Sequence, residues 1–243
     1  MIERSITTTV GDIVARDFRT AGVFERFGID FCCGGRRSIA DACRTATVDP
    51  TALLRALDAA TAIDDRRDDV TAWSASCLVE HIVETHHGYV RTALPLIARY
   101  LAKLVEVHGA RHPELAAVRV AFARIARDLE QHMMKEEQVL FPYICELAAR
   151  GESCGRMPSP FGTVENPILM MEREHRAAAD DLRTIRELTD NYTAPADGCT
   201  TYAVCFAELA RFEADLHRHV HLENNVLFPM AIALESASGL REQ

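Results

Sequence analysis

After Trp73, apolar residues recur in alternating steps of three and four along four long segments, and this periodicity constrains the fold more than any other feature. Such steps place side chains on one face of an α-helix, which is buried against partner helices. Gly and Pro collect between the segments, at 109–113, 151–167 and 191–200, where we expect the connections. The pattern predicts an all-α protein with an up-down four-helix bundle over 73–236. The predicted buried faces continue through Val139 and Val226.

The chain before the bundle has a different character. Residues 1–63 are typical of short helices around one turn-rich motif, Asp30-Phe31-Cys32-Cys33-Gly34-Gly35. A run of charged residues from Asp64 to Asp69 follows, and such a run is typical of a solvated linker. The sequence therefore predicts two domains, a small helical one at 1–63 and the bundle at 73–236.

Composition excludes several classes of protein. Lys and Arg number 27 against 36 Asp and Glu, a net charge of −9, whereas binding a nucleic-acid backbone needs clustered positive charge. No stretch approaches the roughly 20 apolar residues of a membrane span. The N-terminus also lacks the basic segment followed by an apolar segment that marks a signal peptide. We therefore expect a cytoplasmic protein with no nucleic-acid or membrane partner, whose eight cysteines are reduced.

The bundle segment contains an internal repeat. Residues 132–142 and 219–229 both have the pattern His-x3-Glu-x2-Val-Leu-Phe-Pro. One further histidine precedes each copy at nearly the same distance, His87 by 45 residues and His175 by 44. Two related helix pairs would explain this arrangement.

Six polar residues interrupt the apolar faces, namely His87, His132, Glu136, His175, His219 and Glu223. Residues four apart share a helix face, so each His-x3-Glu directs an imidazole and a carboxylate into the bundle. A single histidine on such a face is usually a hydrogen-bonded core residue. Six polar groups in a duplicated pattern instead predict a metal site, because unpaired buried carboxylates are strongly destabilising.

Other histidines lie off these faces. His217 and His221 are four apart and form a rival pair, but they lie about 200° around the helix from His219, so we expect them to be exposed. His86 is about 100° away from His87. The remaining ones miss the face or lie at a helix end: His81, His108 and His112.

The composition of the ligand set indicates the metal. Six ligands exceed what one tetrahedral zinc uses. Four imidazoles and two carboxylates suit two octahedral iron or manganese ions, bridged by the carboxylates and by a solvent-derived oxo or hydroxo group. Ferritin-like centres use more carboxylates, so this histidine-rich ligand set is more typical of a haemerythrin-like centre.

With these residues in hand, 73–236 resembles a haemerythrin-type di-iron bundle. The motif Asp30–Gly35 is similar to the short domain that precedes this bundle in the iron–sulfur cluster repair proteins. The resemblance covers nearly the whole chain. It implies that the six residues bind about two non-haem irons per chain. It also implies a cytoplasmic protein, linked to nitrosative and oxidative stress, that helps to restore clusters in client iron–sulfur proteins.

Cys32 and Cys33 lie between an apolar run and two glycines that permit close backbone approach. Arg36 and Arg37 follow, and positive charge lowers the pKa of a thiol. The pair fits a reactive or metal-accepting site, or else a buried structural cysteine with a neighbour. The resemblance favours thiols that receive iron or nitrosyl, or that contact a client. The other cysteines show no ligand spacing, and Cys205 is expected in the core: Cys43, Cys77, Cys145, Cys154, Cys199 and Cys205.

Three functional hypotheses follow. The first is a repair protein that donates iron or removes nitric oxide by redox chemistry at the irons. The second is a sensor or carrier of oxygen or nitric oxide without turnover, and the third is an iron store. The Cys-Cys-Gly-Gly motif favours the first, because a simple carrier has no need for it. The sequence leaves open the redox state of the irons, whether nitric oxide is reduced catalytically, and whether the chain forms a homodimer.

Overall fold

A computed structural model describes residues 5–61, 69–150 and 159–237 of the chain. Most of these residues are helical, and the β-type pairing among them is limited to an isolated bridge between Thr9 and Ser38. The prediction of an all-α protein is confirmed. Among the helices described, none combines the length and the apolar character that crossing a membrane requires. The predicted linker from Asp64 to Asp69 lies outside the described residues, except for Asp69.

The α-helices in chain order are α1 Val10–Arg16, α2 Ala21–Arg26, α3 Ile39–Ala46, α4 Pro50–Ala60, α5 Ala75–His81, α6 Gly88–His108, α7 Glu114–Lys135, α8 Phe141–Arg150, α9 Glu165–Leu188, α10 Thr200–Leu222 and α11 Phe228–Ala237. A short 3-10 turn, Phe18–Thr20, precedes α2. π-helical turns occupy Ile82–His87, Glu136–Leu140 and Glu223–Leu227, each continuous with the helices on either side.

The described residues divide into two compact units. The first unit comprises residues from Met1–Val79, Ile144–Val164 and Arg218–Gln243. Its N-terminal helices begin where the sequence supplies caps: Thr9, Ser38 and Asp49 each accept a backbone N–H of the helix that follows. Fully buried side chains from several of these helices form its core: Ile13, Phe24, Ile39, Leu53, Leu57 and Phe228.

The second unit comprises residues from Glu80–Tyr143 and Glu165–His217. Its core is built by α6, α7, α9 and the part of α10 before residue 218, with α7 packed against both α6 and α9. The rings of Phe122 and Phe212 meet edge to face at 5.6 Å. Arg186 on α9 binds Glu213 on α10 at 2.7 Å. These contacts bury the apolar faces that the periodicity predicted.

The π-helical turns correct one detail of that prediction. Val139 was expected on the buried face, but its side chain is 47% exposed, and the buried positions are Leu140 and Phe141. The turn Glu136–Leu140 has hydrogen bonds between residues five apart, which moves the buried face one position along the chain. The second copy of the repeat shows the same shift: Leu227 is buried and Val226 is half-buried.

Candidate metal centre

Four of the six predicted ligands meet in the core of the second unit. The Nε2 atoms of His87 and His132 lie 3.4 and 3.3 Å from different oxygens of Glu136. The Nε2 atoms of His132 and His175 are 3.0 Å apart. His132, Glu136 and His175 each present a ligand atom within 4.8 Å of the other two. All four side chains are buried, so one carboxylate contacts imidazoles from different helices in a site shielded from water.

The outer nitrogens of two of these histidines are held by carboxylates. His87 Nδ1 donates to Glu137 Oε1 at 2.6 Å, and His132 Nδ1 donates to Glu174 Oε2 at 2.8 Å. A carboxylate only accepts, so the proton lies on Nδ1 and the lone pair lies on Nε2, the atom that faces the centre. Carboxylates commonly orient metal-binding histidines in this way.

Basic residues in turn hold these outer carboxylates. Arg91 binds both oxygens of Glu137 at 2.6 Å, and Lys135 pairs with Glu174. Burial would raise the pKa of Glu137, but the hydrogen bonds from Arg91 and His87 outweigh it and lower the pKa. The hydrogen bond from His132 is the main cause that lowers the pKa of Glu174 to about 2. Both carboxylates are thus held ionised next to the imidazoles.

The other two predicted ligands form a pair in the first unit. His219 Nε2 lies 2.8 Å from Glu223 Oε1, and neither side chain is accessible to water. The four-residue spacing of the motif produces this contact along one helix face, as it does for His132 and Glu136. Each copy of the repeat therefore supplies one buried imidazole–carboxylate pair.

Each predicted ligand pair lies at a π-helical turn. Glu136 and Glu223 are the first residues of theirs, and His87 is the last residue of the turn Ile82–His87. Such turns insert one residue into an α-helix and occur often at functional sites. The insertion lets a carboxylate face the core while the buried face that follows moves by one position along the chain. Hydrophobic periodicity alone did not indicate these turns.

The chemistry of this donor set suits a cation. Imidazole nitrogens with a carboxylate are ligands that iron and manganese accept, and no thiolate is among the six. A fully buried carboxylate is destabilising unless positive charge or hydrogen bonds compensate it. The lone pairs on the inner nitrogens of His87 and His132 face that carboxylate, so a cation held between them would satisfy all three groups.

A cavity of about 210 Å³ lies beside this cluster, between α7 and α9. Its lining includes His132 together with Leu129, Ala178 and the ion pair of Lys135 and Glu174. A small molecule in this cavity would contact the outer side of His132.

The two adjacent cysteines lie in a turn, the cysteine loop, which comprises Asp30–Gly35. Asp30 Oδ1 accepts the backbone N–H groups of Cys32 and Cys33 at 3.0 and 2.9 Å. The two sulfurs are 4.0 Å apart, and Cys32 Sγ lies 3.4 Å from Asp30 Oδ1. Both thiols are free, and with Asp30 they form a group that could hold a metal ion.

The expected lowering of the thiol pKa is wrong for Cys32. Its hydrogen bond with Cys33, together with burial and the negative charge of Asp30, raises its pKa well above the usual value. The basic residue Arg37 instead donates from Nε to Gly34 O at 3.3 Å. Charge that is adjacent in the sequence therefore does not act on this sulfur as expected.

Two asparagines after Glu223 hold the cysteine loop. Asn225 Nδ2 donates to Cys32 O at 2.9 Å and to Phe31 O at 3.3 Å, while Asn224 Nδ2 lies 3.4 Å from Cys32 O. A Cβ on Gly35 would lie 2.2 Å from Asn225 Oδ1, so only glycine fits there. This contact explains the second glycine of the motif by close approach. Sequence reasoning missed both asparagines, although they immediately follow a predicted ligand.

The prediction that His221 is exposed is wrong. Its side chain is 1% exposed, and its ring lies against those of Phe18 and Phe31 at 6.2 and 5.8 Å. Burial lowers its pKa to about 4. His221 does face away from His219, but N-terminal residues of the first unit cover that face. His217, also expected to be exposed, is half-buried and lies 3.9 Å from Glu213.

The other histidines have partners of their own. His86 is buried, and its Nδ1 lies 3.0 Å from Asp215 Oδ1. His81 lies next to it, with ring centroids 5.5 Å apart. Cys205 is fully buried as expected, and burial raises its pKa to about 12. Cys154 lies outside the described residues.

Known families match both parts of the chain. Residues 6–61 match the ScdA_N domain, described as a domain of unknown function (DUF542), and residues 78–231 match the hemerythrin HHE cation binding domain. The iron-sulfur cluster repair protein YtfE of Musicola paradisiaca (strain Ech703) is 34% identical over 231 residues, which are 94% of this chain and 97% of the relative. This chain belongs to the family of iron–sulfur cluster repair proteins.

Further repair proteins of this family share nearly the whole length of the chain. YtfE of Yersinia pestis (strain Pestoides F) is 32% identical over 214 residues, 88% of this chain and 91% of the relative. Membership confirms the resemblance read from the Cys-Cys-Gly-Gly motif and the His-x3-Glu repeat. The match to the hemerythrin domain also confirms the helical bundle, and its limits include all six predicted ligands.

Proposed function

We propose that His87, His132, Glu136, His175, His219 and Glu223 together hold about two irons per chain. Two lines support a single centre built from both copies of the repeat. Each copy supplies one buried imidazole–carboxylate pair with the same spacing. One cation-binding domain spans all six residues.

One observation carries the proposal: the two oxygens of Glu136 face two imidazoles that belong to different helices. A carboxylate that chelates one metal directs both oxygens to a single ion, whereas the two oxygens of Glu136 face different histidines. The arrangement suits a carboxylate that bridges two metals. The repeat predicts the same role for Glu223, and six protein ligands with two bridges leave room for an oxo or hydroxo group.

The function that fits this centre is cytoplasmic repair of iron–sulfur clusters damaged by nitrosative or oxidative stress. The relatives are named for cluster repair, and the cysteine loop provides soft ligands that a carrier of oxygen would not need. Two bound irons would supply redox chemistry and open positions for nitric oxide or oxygen. The surrounding residues exclude water from that centre. Glu137 and Glu174 orient the inner nitrogens of His87 and His132 toward it.

We assign Cys32 and Cys33 to contact with iron in transit to a client. Their sulfurs lie near each other and near a carboxylate, and Cys33 is partly accessible. Two cysteine sulfurs that lose their protons on binding a metal resemble the ligands of an iron–sulfur cluster more closely than the imidazole centre does, so the pair suits exchange with a client apoprotein.

Cluster restoration in an apo-ferredoxin, with the iron-loaded chain as the source, tests the proposal. The unmodified protein should restore the cluster, and Cys32→Ala with Cys33→Ala should lower restoration while leaving the iron content unchanged. Cys77→Ala, which alters an exposed cysteine elsewhere, is the matched control.

Two outcomes would contradict the proposal. Reversible binding of oxygen or nitric oxide without any cluster restoration would identify a carrier or sensor. Full restoration by the double cysteine variant would limit the cysteine loop to a structural role.

A further inference from the structure

We propose that Cys199 and His108 form a second reactive site, in which the Cys199 thiol is modified by small electrophiles, specifically hydroperoxides. This site belongs to the second unit and shares no residue with the predicted iron ligands. It does not depend on the repair function proposed above.

The pairing of the two side chains is the first observation. His108 Nε2 lies 3.3 Å from Cys199 Sγ, within hydrogen-bond distance for sulfur. His108 is 4% exposed, whereas Cys199 is exposed. Among the described residues, none hydrogen-bonds the other nitrogen of His108, Nδ1. The buried imidazole is therefore directed at an accessible sulfur.

The position of Cys199 at a helix start is the second observation. Cys199 immediately precedes α10, and its carbonyl accepts the backbone N–H groups of Tyr202 and Ala203. Hydrogen bonding from the Tyr202 backbone is the main cause that lowers the pKa of the Cys199 thiol. The first turn of a helix stabilises a negative charge, and the imidazolium formed when the thiol gives its proton to His108 would do the same.

The preceding loop is anchored, which fixes the sulfur. Asp197 accepts from His112 Nε2 at 3.1 Å and pairs with Arg111 at 3.0 Å. Gly198 lies so close to Tyr202 that a Cβ would be 3.3 Å from its ring. The loop therefore holds Cys199 next to His108 in the folded protein.

The chemical step balances with a hydroperoxide as oxidant. The Cys199 sulfur attacks one peroxide oxygen, so an S–O bond forms and the O–O bond breaks. The sulfur is oxidised by two electrons to a sulfenic acid, and the peroxide is reduced. The leaving hydroxide or alkoxide takes the proton that the thiol gave to His108 Nε2, and water or an alcohol departs.

Sulfenic acid trapping on the full-length iron-loaded protein tests this site. Hydrogen peroxide is added with dimedone, and the trapped product at each cysteine is followed by mass spectrometry. Cys199 should react at least about tenfold faster than Cys77, the other exposed cysteine among the residues that the structure describes. His108→Gln should lower the Cys199 rate by about tenfold and leave the Cys77 rate unchanged. Equal rates for the two thiols in the unmodified protein would overturn the proposal.

Two controls keep the result interpretable. His81→Gln alters another imidazole of the second unit, which contacts Thr85 and His86 and not the sulfur, and should leave the Cys199 rate within about twofold. If His108→Gln fails to fold, iodoacetamide alkylation of the unmodified protein decides instead. The ratio of Cys199 to Cys77 rates should fall to about one in urea, where the pairing is lost. A ratio that urea leaves unchanged would show that the fold does not activate Cys199.

Discussion

The two copies of the repeat have the same inner residues and different surroundings. In both, a buried histidine precedes a buried glutamate by four residues, a π-helical turn begins at that glutamate, and the following Leu-Phe pair is buried. The outer positions diverge. Met134 in the first copy is 50% exposed, and its counterpart His221 is 1% exposed.

The residues after each glutamate show the same divergence. In the first copy, Glu137 binds His87 and Arg91. In the second copy, the corresponding residue is Asn224, and Asn225 after it binds the backbone of the cysteine loop. The inner pattern thus supplies a buried imidazole–carboxylate pair in each copy, whereas the outer positions orient a histidine in the first copy and hold the N-terminal segment in the second.

The largest expected effect tests whether the glutamates of the two copies contribute equally to iron binding. Glu136→Gln and Glu223→Gln should each reduce the iron content from about two to below about one per chain, because a neutral amide replaces a carboxylate that we propose to bridge the two irons. Iron and protein are measured on the same purified sample. Glu130→Gln, which alters an exposed carboxylate on α7, is the control and should retain most of the iron. If Glu223→Gln retained both irons, the second copy would not be a ligand pair.

Removal of the metal should destabilise both copies together. Without a cation, the glutamates and imidazoles of the predicted site remain buried in an apolar core, so metal binding should stabilise the fold by several kcal/mol. Chelation should therefore lower the melting temperature by about 10 °C. Readdition of ferrous iron should restore it. An unchanged melting temperature after complete chelation would contradict a buried site.

The outer carboxylate of the first copy offers a more moderate test. Glu174→Ala removes the acceptor that fixes the His132 tautomer, so iron affinity should fall about 10- to 100-fold. Competition with a chelator of known affinity measures the change. Glu130→Ala removes an exposed carboxylate from α7 and should have no such effect. If both variants lost the same iron affinity, the cause would be the loss of one negative charge from the surface and not the orientation of His132.

The smallest effect concerns the outer face of the second copy. Asn225→Ala removes hydrogen bonds to Phe31 O and Cys32 O and should lower the free energy of unfolding by about 1–3 kcal/mol. Gln138 occupies the matching position of the first copy, and its side chain is exposed. Gln138→Ala should therefore change the free energy of unfolding by less than about 0.5 kcal/mol. Urea unfolding measures both. Similar values would mean that the outer faces do not differ energetically.

The sequence determined the helical class and the positions of the long helices, and it predicted the six ligands. Periodicity in steps of three and four follows from helix geometry alone, and His-x3-Glu places both side chains on one face wherever a helix forms. The duplication selected His219 and Glu223 over the rival pair His217 and His221. Local rules sufficed for these features because they depend on neighbours within one helical turn.

Only the tertiary structure decided what lies against the outer faces. The burial of His221 depends on Phe18 and Phe31, some two hundred residues away in sequence, and no local pattern reports that contact. The contacts of Glu174 with His132 and of Cys199 with His108 also join residues far apart in sequence, so helical spacing could not predict them. The raised pKa of Cys32 also follows from burial and from its actual neighbours, whereas adjacency to arginines suggested the reverse. Hydrogen bonds, burial and pKa values depend on distances in space, and those are set when distant segments pack together.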